Sequence, residues 1–156
     1  MDQHQKFMRK AIALSLQNLK KGGGPFGAVI VKDNKVIATG VNRVTSHNDP
    51  TAHAEIVAIR SATRKLHSFN IQGCTIYTSC EPCPMCLAAI YWAHLDKIYY
   101  ANTKTDAKNI GFDDSFIYDE IALDPNLRKI ETTRLLSAEA ITAFERWTEM
   151  DEKMEY

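Results

Sequence analysis

Two short segments carry the residue types best suited to bind a transition metal. One is His53-Ala54-Glu55, and the other is Pro82-Cys83-Pro84-Met85-Cys86. Zinc in proteins prefers four ligands in a tetrahedron, drawn from Cys sulfur and His nitrogen. Cys83 and Cys86 lie three residues apart, so both sulfurs can face one point across the first turn of a helix. His53, at the start of the preceding helix, supplies a third ligand, and three protein ligands leave the fourth position for water.

Glu55 follows the predicted ligand His53 by two residues, where its carboxylate can point at that water without binding the metal. Zinc lowers the pKa of a bound water to about 7, which makes hydroxide available at neutral pH. A carboxylate beside the water can take its proton and pass it to a nitrogen of the substrate. Pro84 suits the first position of a helix, whose positive N-terminus favours thiolate over thiol. The two segments together predict a catalytic zinc site with Glu55 as the proton carrier.

A closed zinc site without chemistry is the main alternative. Cys80 would then join the other three as a fourth protein ligand. However, Cys80 is predicted at the end of a strand, and a closed site gives no role to Glu55. A redox Cys-x-x-Cys pair is a further alternative, but nothing else in the sequence resembles a thioredoxin-like unit. The remaining cysteine, Cys74, is predicted to be a buried strand residue.

The hydrophobic periodicity predicts the elements that position these residues. In chain order they are a helix over 5–21, strands over 26–31 and 36–41 joined by a turn at 32–35, a polar loop over 42–52, a helix from 53, a strand over 74–78, a helix over 85–93, a strand over 97–101, mixed polar chain over 102–128 with a short helix near 115–120, a strand over 129–135 and a last helix capped by Ser137. The strand–helix–strand order over 74–101 implies parallel pairing. The fold class is therefore α/β, with helices layered on both faces of a mixed sheet.

Length and charge limit the classes of function. The chain has 156 residues, which is the usual size of one domain, and no apolar run is long enough to span a membrane. The N-terminus lacks the apolar region of a signal peptide, so we expect a cytoplasmic protein. Its 19 basic residues balance 19 acidic residues, whereas a nucleic-acid-binding protein usually has a basic excess. We therefore expect a small-molecule substrate, with neither nucleic acid nor membrane as a partner.

Beyond the zinc residues, the chain resembles the cytidine deaminase superfamily over nearly its whole length. His-x-Glu followed by Pro-Cys-x-x-Cys is the pattern of its zinc deaminases that act on bases. Within the superfamily, the chain is most similar to the bacterial guanine deaminases. The similarity is carried by residues 24–31, 48–55, 77–86, 89–93, 111–118 and 153–156. The zinc motifs are shared by the whole superfamily, whereas the last two segments are more selective for the subfamily.

The resemblance implies a three-layer α/β/α cytidine deaminase-like fold with a five-stranded mixed sheet. It implies one deaminase domain over residues 1–156, in a homodimer whose C-terminal segments, about 130–156, are swapped between protomers. The implied reaction is the zinc-dependent hydrolysis of guanine to xanthine and ammonia, with attack at C2 of the ring.

The resemblance also implies substrate contacts, each with a structural alternative. Asn42 would contact the base edge or only satisfy loop backbone groups. Phe26 and Trp92 would pack against the ring or belong to the core. The backbone N–H groups of Ala54 and Cys83 would hold the attacking oxygen. Asp114 would accept hydrogen bonds from guanine N1–H and the 2-amino group, although Asp113 or Asp114 could instead cap the helix that follows. Tyr156 would close the partner's site.

Two kinds of rival function stay open at this point. The first is another substrate for the same chemistry, such as guanosine, cytosine or adenosine in transfer RNA, with a triazine such as ammeline as a side substrate. Balanced charge disfavours RNA. The second is a zinc-stabilised module without catalysis, against which the presence of Glu55 argues.

Overall fold

The computed structural model describes residues 2–156, and most helices and strands begin and end close to the predicted bounds. The helices are α1 (Gln3–Leu19), α2 (Val44–His47), α3 (Ala54–Leu66), α4 (Pro84–Trp92), α5 (Lys104–Asn109), α6 (Ser115–Ala122) and α7 (Ser137–Glu149), and the strands are β1 (Gly27–Lys32), β2 (Lys35–Val41), β3 (Cys74–Cys80) and β4 (Lys97–Asn102). Helices α2 and α5 lie in segments predicted as polar loop and mixed chain. With four and six residues, they are too short to show a helical repeat.

The strands form one mixed sheet in the order β2-β1-β3-β4. β1 pairs antiparallel with β2 and with β3. β3 and β4 pair in parallel, with Ile76 opposite Ile98, as the strand–helix–strand order predicts. The β1–β2 turn is formed by Asp33 and Asn34, both at positive φ, a conformation that tight two-residue hairpin turns require.

The expectation of a fifth strand is wrong for the described residues, in which the sheet has four strands. The strand predicted at 129–135 is absent. It contains only two apolar residues, Ile130 and Leu135, and a strand also needs a neighbour with which to exchange backbone hydrogen bonds. This segment has no such neighbour, and Ile130 and Leu135 are 81% and 78% exposed.

Helices cover both faces of the sheet, which confirms the α/β/α layering. On one face, Ala28 and Ile30 of β1 pack in a cluster with Ala58 of α3 and Ile90 of α4. On the other face, Val29 and Val31 pack with Phe7 and Ala11 of α1. Successive β1 side chains thus point into two different cores, as expected for a strand buried on both sides.

Helix α3 lies directly against β2, and Gly40 allows the contact. A Cβ at Gly40 would overlap the Ala54 carbonyl oxygen and the Ala58 backbone nitrogen. The absence of a side chain there lets the first turn of α3 approach the sheet. That turn carries the predicted site residues, so Gly40 determines how close they lie to the sheet.

Residues 116–156 form a second compact unit, after a first unit that ends at Ser115. None of its residues is buried. Ser137, predicted as the cap of α7, is instead its first residue, because Leu136 takes the N-cap position in the left-handed conformation. Among the described residues, no helix has the length and apolarity that crossing a membrane requires.

Candidate active site

The structure brings the three predicted metal ligands together at the starts of two neighbouring helices. His53 is the N-cap of α3 and Cys83 the N-cap of α4, while Cys86 lies in the first turn of α4. One ligand atom from each residue lies within 4.8 Å of the other two. His53 Nδ1 is 3.5 Å from Cys83 Sγ and 3.6 Å from Cys86 Sγ. Pro84 occupies the first turn, as the sequence predicts.

Contacts within the cluster shift the pKa values of all three residues. The Cys86 thiol and the His53 ring hydrogen-bond to the Cys83 sulfur and, with the Cys86 N–H, lower the pKa of Cys83 to about 4. The same contact with Cys83, followed by burial, raises the pKa of Cys86. The hydrogen bond to Cys83 raises the pKa of His53. Two sulfurs and an imidazole nitrogen that converge on one point, in surroundings that favour the thiolate form of Cys83, fit zinc.

Cys80 does not belong to this cluster. It is buried at the end of β3, and its Sγ donates to the Thr103 carbonyl at 3.6 Å. Burial is the main cause that raises the pKa of Cys80 to about 11. Within the described residues, the metal cluster therefore has three protein ligands, which is the number in catalytic zinc sites. The closed four-ligand alternative is not supported by this geometry.

Glu55 lies beside the ligands in the first turn of α3 and is only 6% exposed. Its Oε1 is 3.2 Å from the Thr78 hydroxyl, which also lies 2.8 Å from the Cys80 carbonyl oxygen, and its Oε2 is 3.5 Å from Cys86 Sγ. Burial is the main cause that raises the pKa of Glu55. A carboxyl group whose protonated form is favoured by burial accepts a proton more readily than an exposed one, which suits a group that carries protons. The sequence does not predict a role for Thr78 at the site, because the strand pattern indicates only that this residue is buried.

A cavity of about 640 Å³ opens above these residues. His53, Glu55 and Cys83 lie on its lining, together with the predicted substrate contacts Phe26 and Asn42. The volume is in the range of small-molecule sites. All of its lining residues lie between positions 22 and 114.

Phe26 and Asn42 line the cavity, and each also makes a contact within the protein. The half-buried Phe26 packs edge-on against Phe112, with ring centroids 5.0 Å apart. The Asn42 Oδ1 accepts a hydrogen bond from the Val44 N–H at 3.2 Å. This contact fixes the orientation of the amide and leaves the Nδ2 hydrogens for a ligand acceptor. Phe112 was within a segment singled out by the resemblance, but its spacing alone gave it no role.

The neighbouring aspartates Asp113 and Asp114 differ in their surroundings. Asp113 Oδ1 accepts from the Ser115 N–H and hydroxyl, and its Oδ2 is 3.2 Å from Lys108 Nζ. Ser115 first and Lys108 second lower the pKa of Asp113. Both aspartates line the cavity, and Asp114 is the half-buried one; desolvation is the main cause that raises its pKa. Asp113 therefore uses both of its oxygens for contacts within the chain, whereas the contact of Asp114 with a ligand stays a prediction.

The other predicted contacts divide between the two units. Ala54 is fully buried next to Glu55, at the helix start where its N–H would have to lie. Trp92, at the end of α4, is 63% exposed and does not line the cavity. The alternative that Trp92 belongs to the core is therefore wrong, because α4 ends at the surface. Tyr156 belongs to the C-terminal unit and is 75% exposed.

Comparisons with known proteins point to one family. The cytidine and deoxycytidylate deaminase zinc-binding region matches residues 1–102. The guanine deaminase of Bacillus subtilis (strain 168) is 49% identical over 154 residues, which is 98% of this chain and 99% of that protein. An X-ray structure of guanine deaminase from Bacillus subtilis has a TM-score of 0.96 at 48% identity, covering 100% of this chain and 99% of that one.

More distant relatives match a smaller part of the chain. The tRNA-specific adenosine deaminase of Aquifex aeolicus (strain VF5) is 37% identical over 95 residues, which is 61% of this chain and 63% of that protein. A structure of guanine deaminase from Nitrosomonas europaea has a TM-score of 0.66 at 32% identity, covering 70% of this chain and 64% of that one. The match thus extends through the C-terminal unit in the Bacillus subtilis protein and is partial in these two.

Proposed function

The chain belongs to the cytidine and deoxycytidylate deaminase family, and we propose that it catalyses the zinc-dependent hydrolysis of guanine to xanthine and ammonia. The observation that carries the proposal is the cavity, which combines a three-ligand metal cluster and a buried carboxylate with the aromatic, amide and acidic groups that a purine requires. The near-full-length similarity to Bacillus subtilis guanine deaminase supports guanine as the base.

His53, Cys83 and Cys86 would hold the zinc through Nδ1 and the two Sγ atoms. When bound there, zinc lowers the pKa of a coordinated water to about 7 and so supplies the nucleophile. Glu55 would take one proton of the attacking water and deliver it to a ring nitrogen of guanine; it would then take the second proton from the new hydroxyl and deliver it to the departing amine. The contact with the Thr78 hydroxyl would help to orient the Glu55 carboxylate. The Ala54 and Cys83 N–H groups stabilise the negative charge that develops on the attacking oxygen.

The cavity walls account for the choice of base. The Asp114 carboxylate offers two acceptors side by side, which match the N1–H and 2-amino donors of guanine. The Asn42 Nδ2 donates to an acceptor on the opposite edge of the base. Phe26, held in place by Phe112, packs against the ring. In this proposal, the contacts would bring C2 of guanine to the metal cluster.

Ammonia release by the purified, zinc-loaded protein tests the proposal. The panel consists of guanine, guanosine, adenine, adenosine, cytosine and cytidine, with Glu55→Ala as the blank. We expect rapid turnover of guanine and little of the others. Turnover of a different member would keep the zinc mechanism but reject guanine as the substrate. Tight zinc binding without turnover of any member would favour a zinc-stabilised module without catalysis.

Transfer RNA is the rival substrate with the most direct support, because tRNA-specific adenosine deaminases are among the relatives. The one from Aquifex aeolicus matches 61% of this chain, against 98% for the Bacillus subtilis guanine deaminase. The balanced charge of this chain also disfavours a polyanionic substrate. A stem-loop RNA with adenosine in the loop, added to the same assay, separates the two.

The C-terminal unit supports a homodimer with C-terminal segments swapped between protomers. Ile141, Phe144 and Trp147 of α7 are 49%, 73% and 40% exposed, which is unusual for the apolar face of an amphipathic helix. Burial against a second copy would remove this apolar surface from water, and it would allow Tyr156 to close the partner's cavity. Light scattering of the intact protein tests the dimer, and Tyr156→Ala tests the closing role through the KM for guanine.

A cytoplasmic location is part of the same proposal. All four cysteines are free in the structure, and two of them would bind zinc as thiolates. Free thiols persist in reducing compartments.

A further inference from the structure

Asn18 does not line the substrate cavity, but its side chain hydrogen-bonds to two segments that form the cavity wall. It lies in the last turn of α1 and is only 6% exposed. Its Nδ2 donates to the Gly24 carbonyl at 2.9 Å and to the Asn42 carbonyl at 2.9 Å. Both hydrogens of one amide are thus used on two segments that are far apart in sequence.

These two carbonyls belong to the segments that carry the base contacts. Gly24 precedes Phe26 by two residues, on the way into β1, and Asn42 directly follows β2. The Asn42 N–H donates to the Phe26 carbonyl at 3.2 Å. The Asn18 amide therefore extends the pairing of β1 and β2 beyond the point where the ladder ends.

The loop formed by Gly22, Gly23 and Gly24 packs closely against the side chains of Asn18 and Asn42. A Cβ at Gly23 would overlap the Asn18 amide, and a Cβ at Gly24 would lie 3.2 Å from Asn42 Cγ. The Gly23 N–H also donates to the Asn18 backbone carbonyl at 3.0 Å. Both the backbone and the side chain of Asn18 thus contact the loop, which also packs closely against the Asn42 side chain.

We propose that Asn18 is a positioning residue for guanine, which fixes Phe26 and Asn42 at the separation that the base requires. This inference rests on the proposed function. Asn18 acts through the two carbonyls and does not touch the substrate. Its loss loosens the wall that binds the base while the metal cluster and Glu55, on α3 and α4, stay in place. The expected consequence is weaker substrate binding with smaller effects on the chemical step.

The test uses Asn18→Asp, which keeps the shape of the side chain but replaces both donor hydrogens with an acceptor oxygen. That oxygen would face two carbonyl oxygens. The matched control is Gln17→Glu, the same amide-to-acid change at an exposed position one residue earlier on α1. If Asn18→Asp does not fold, Asn18→Ser, which is neutral and retains one shorter donor, gives the same comparison.

Three measurements decide the proposal. We expect the KM for guanine to rise about tenfold in Asn18→Asp with kcat within about threefold and zinc content unchanged, and no change in Gln17→Glu. Hydrogen–deuterium exchange should rise in peptides over 20–27 and 41–46 and stay constant in peptides over 53–60 and 83–90. A lower melting temperature with unchanged KM, or faster exchange spread evenly over the chain, overturns the positioning role.

The exchange measurement also separates this proposal from the proposed function. If the wild-type protein does not deaminate guanine, the proposed function fails. Faster exchange confined to 20–27 and 41–46 in Asn18→Asp would still support the Asn18 link, and unchanged exchange there would overturn it.

Discussion

Replacement of Asp114 by Asn tests how the cavity recognises guanine. In the proposed pose, the carboxylate accepts hydrogen bonds from N1–H and the 2-amino group. The substitution retains one acceptor oxygen, removes the charge and turns the second oxygen into an NH2 group that faces a donor. A hydrogen bond to a charged group contributes about 1.5–3 kcal/mol, so the loss of one bond and the weakening of the other cost about 3 kcal/mol. We therefore expect kcat/KM for guanine to fall on the order of 100-fold in Asp114→Asn.

The matched control is Asp113→Asn. Asp113 is exposed, and its oxygens are occupied by Ser115 and Lys108. We expect this variant to change kcat/KM by less than about threefold, because Asp113 makes no contact with guanine in the proposed pose. Its salt bridge with Lys108 is on the surface, where such pairs contribute little to stability. Zinc content and melting temperature are measured for both variants to show that each is folded and loaded.

A second substrate sharpens the test. In 2-aminopurine the ring nitrogen N1 carries no hydrogen and is an acceptor, so an Asn at position 114 can donate to it where an Asp cannot. The ratio of kcat/KM for guanine to that for 2-aminopurine should therefore fall in Asp114→Asn. Equal losses in the two variants, a larger loss in Asp113→Asn, or an unchanged substrate ratio would refute the assignment of Asp114 to the base.

The remaining predictions concern the metal cluster and the helix that carries it. Cys80→Ser should retain about one zinc per chain by mass spectrometry, because Cys80 donates to a carbonyl outside the cluster, whereas Cys83→Ser should lose both zinc and activity; zinc loss in both would restore the closed-site alternative. In the zinc-stripped protein at pH 6, iodoacetamide should label Cys83, whose pKa of about 4 keeps it a thiolate, before Cys74, whose pKa burial raises, as read by peptide mapping. Zinc should protect Cys83 from the reagent, and equal labelling with and without zinc would speak against its role as a ligand. Gly40→Ala should lower the free energy of unfolding in urea by about 1–3 kcal/mol, because its Cβ would overlap the first turns of α3; an unchanged midpoint would contradict this contact.

The sequence predicted the layering of the fold because each core has a local pattern. In β1, successive apolar residues face opposite sides, and α1 repeats its apolar residues at helical spacing. The strand predicted at 129–135 is absent, because strand formation depends on a neighbour that a local pattern cannot supply. Short α2 and α5 lacked enough residues for any period to appear.

The metal cluster was predictable for a related reason. Cys83 and Cys86 are fixed relative to each other by one helical turn, and His53 and Glu55 are fixed by the start of another. Only the approach of the two helices had to be inferred, and the preference of zinc for this donor set supplied it. The distinction between Asp113 and Asp114 was not predictable, because it depends on the ion pair of Asp113 with Lys108 and on the partial burial of Asp114.

The sequence predicts the residues that recognise the base much less directly than the residues that carry out the deamination. The side chains that hold the proposed contacts, Asn18 behind Asn42 and Thr78 behind Glu55, act across 24 and 23 residues of sequence. An amide in an amphipathic helix and a threonine in a strand are ordinary there, so neither has a local signal. Since zinc chemistry is common to the family, such residues behind the cavity wall are where relatives with the same metal motif can differ in substrate. The search for specificity therefore extends from the proposed base contacts, such as Asp114, to the residues that lie behind them.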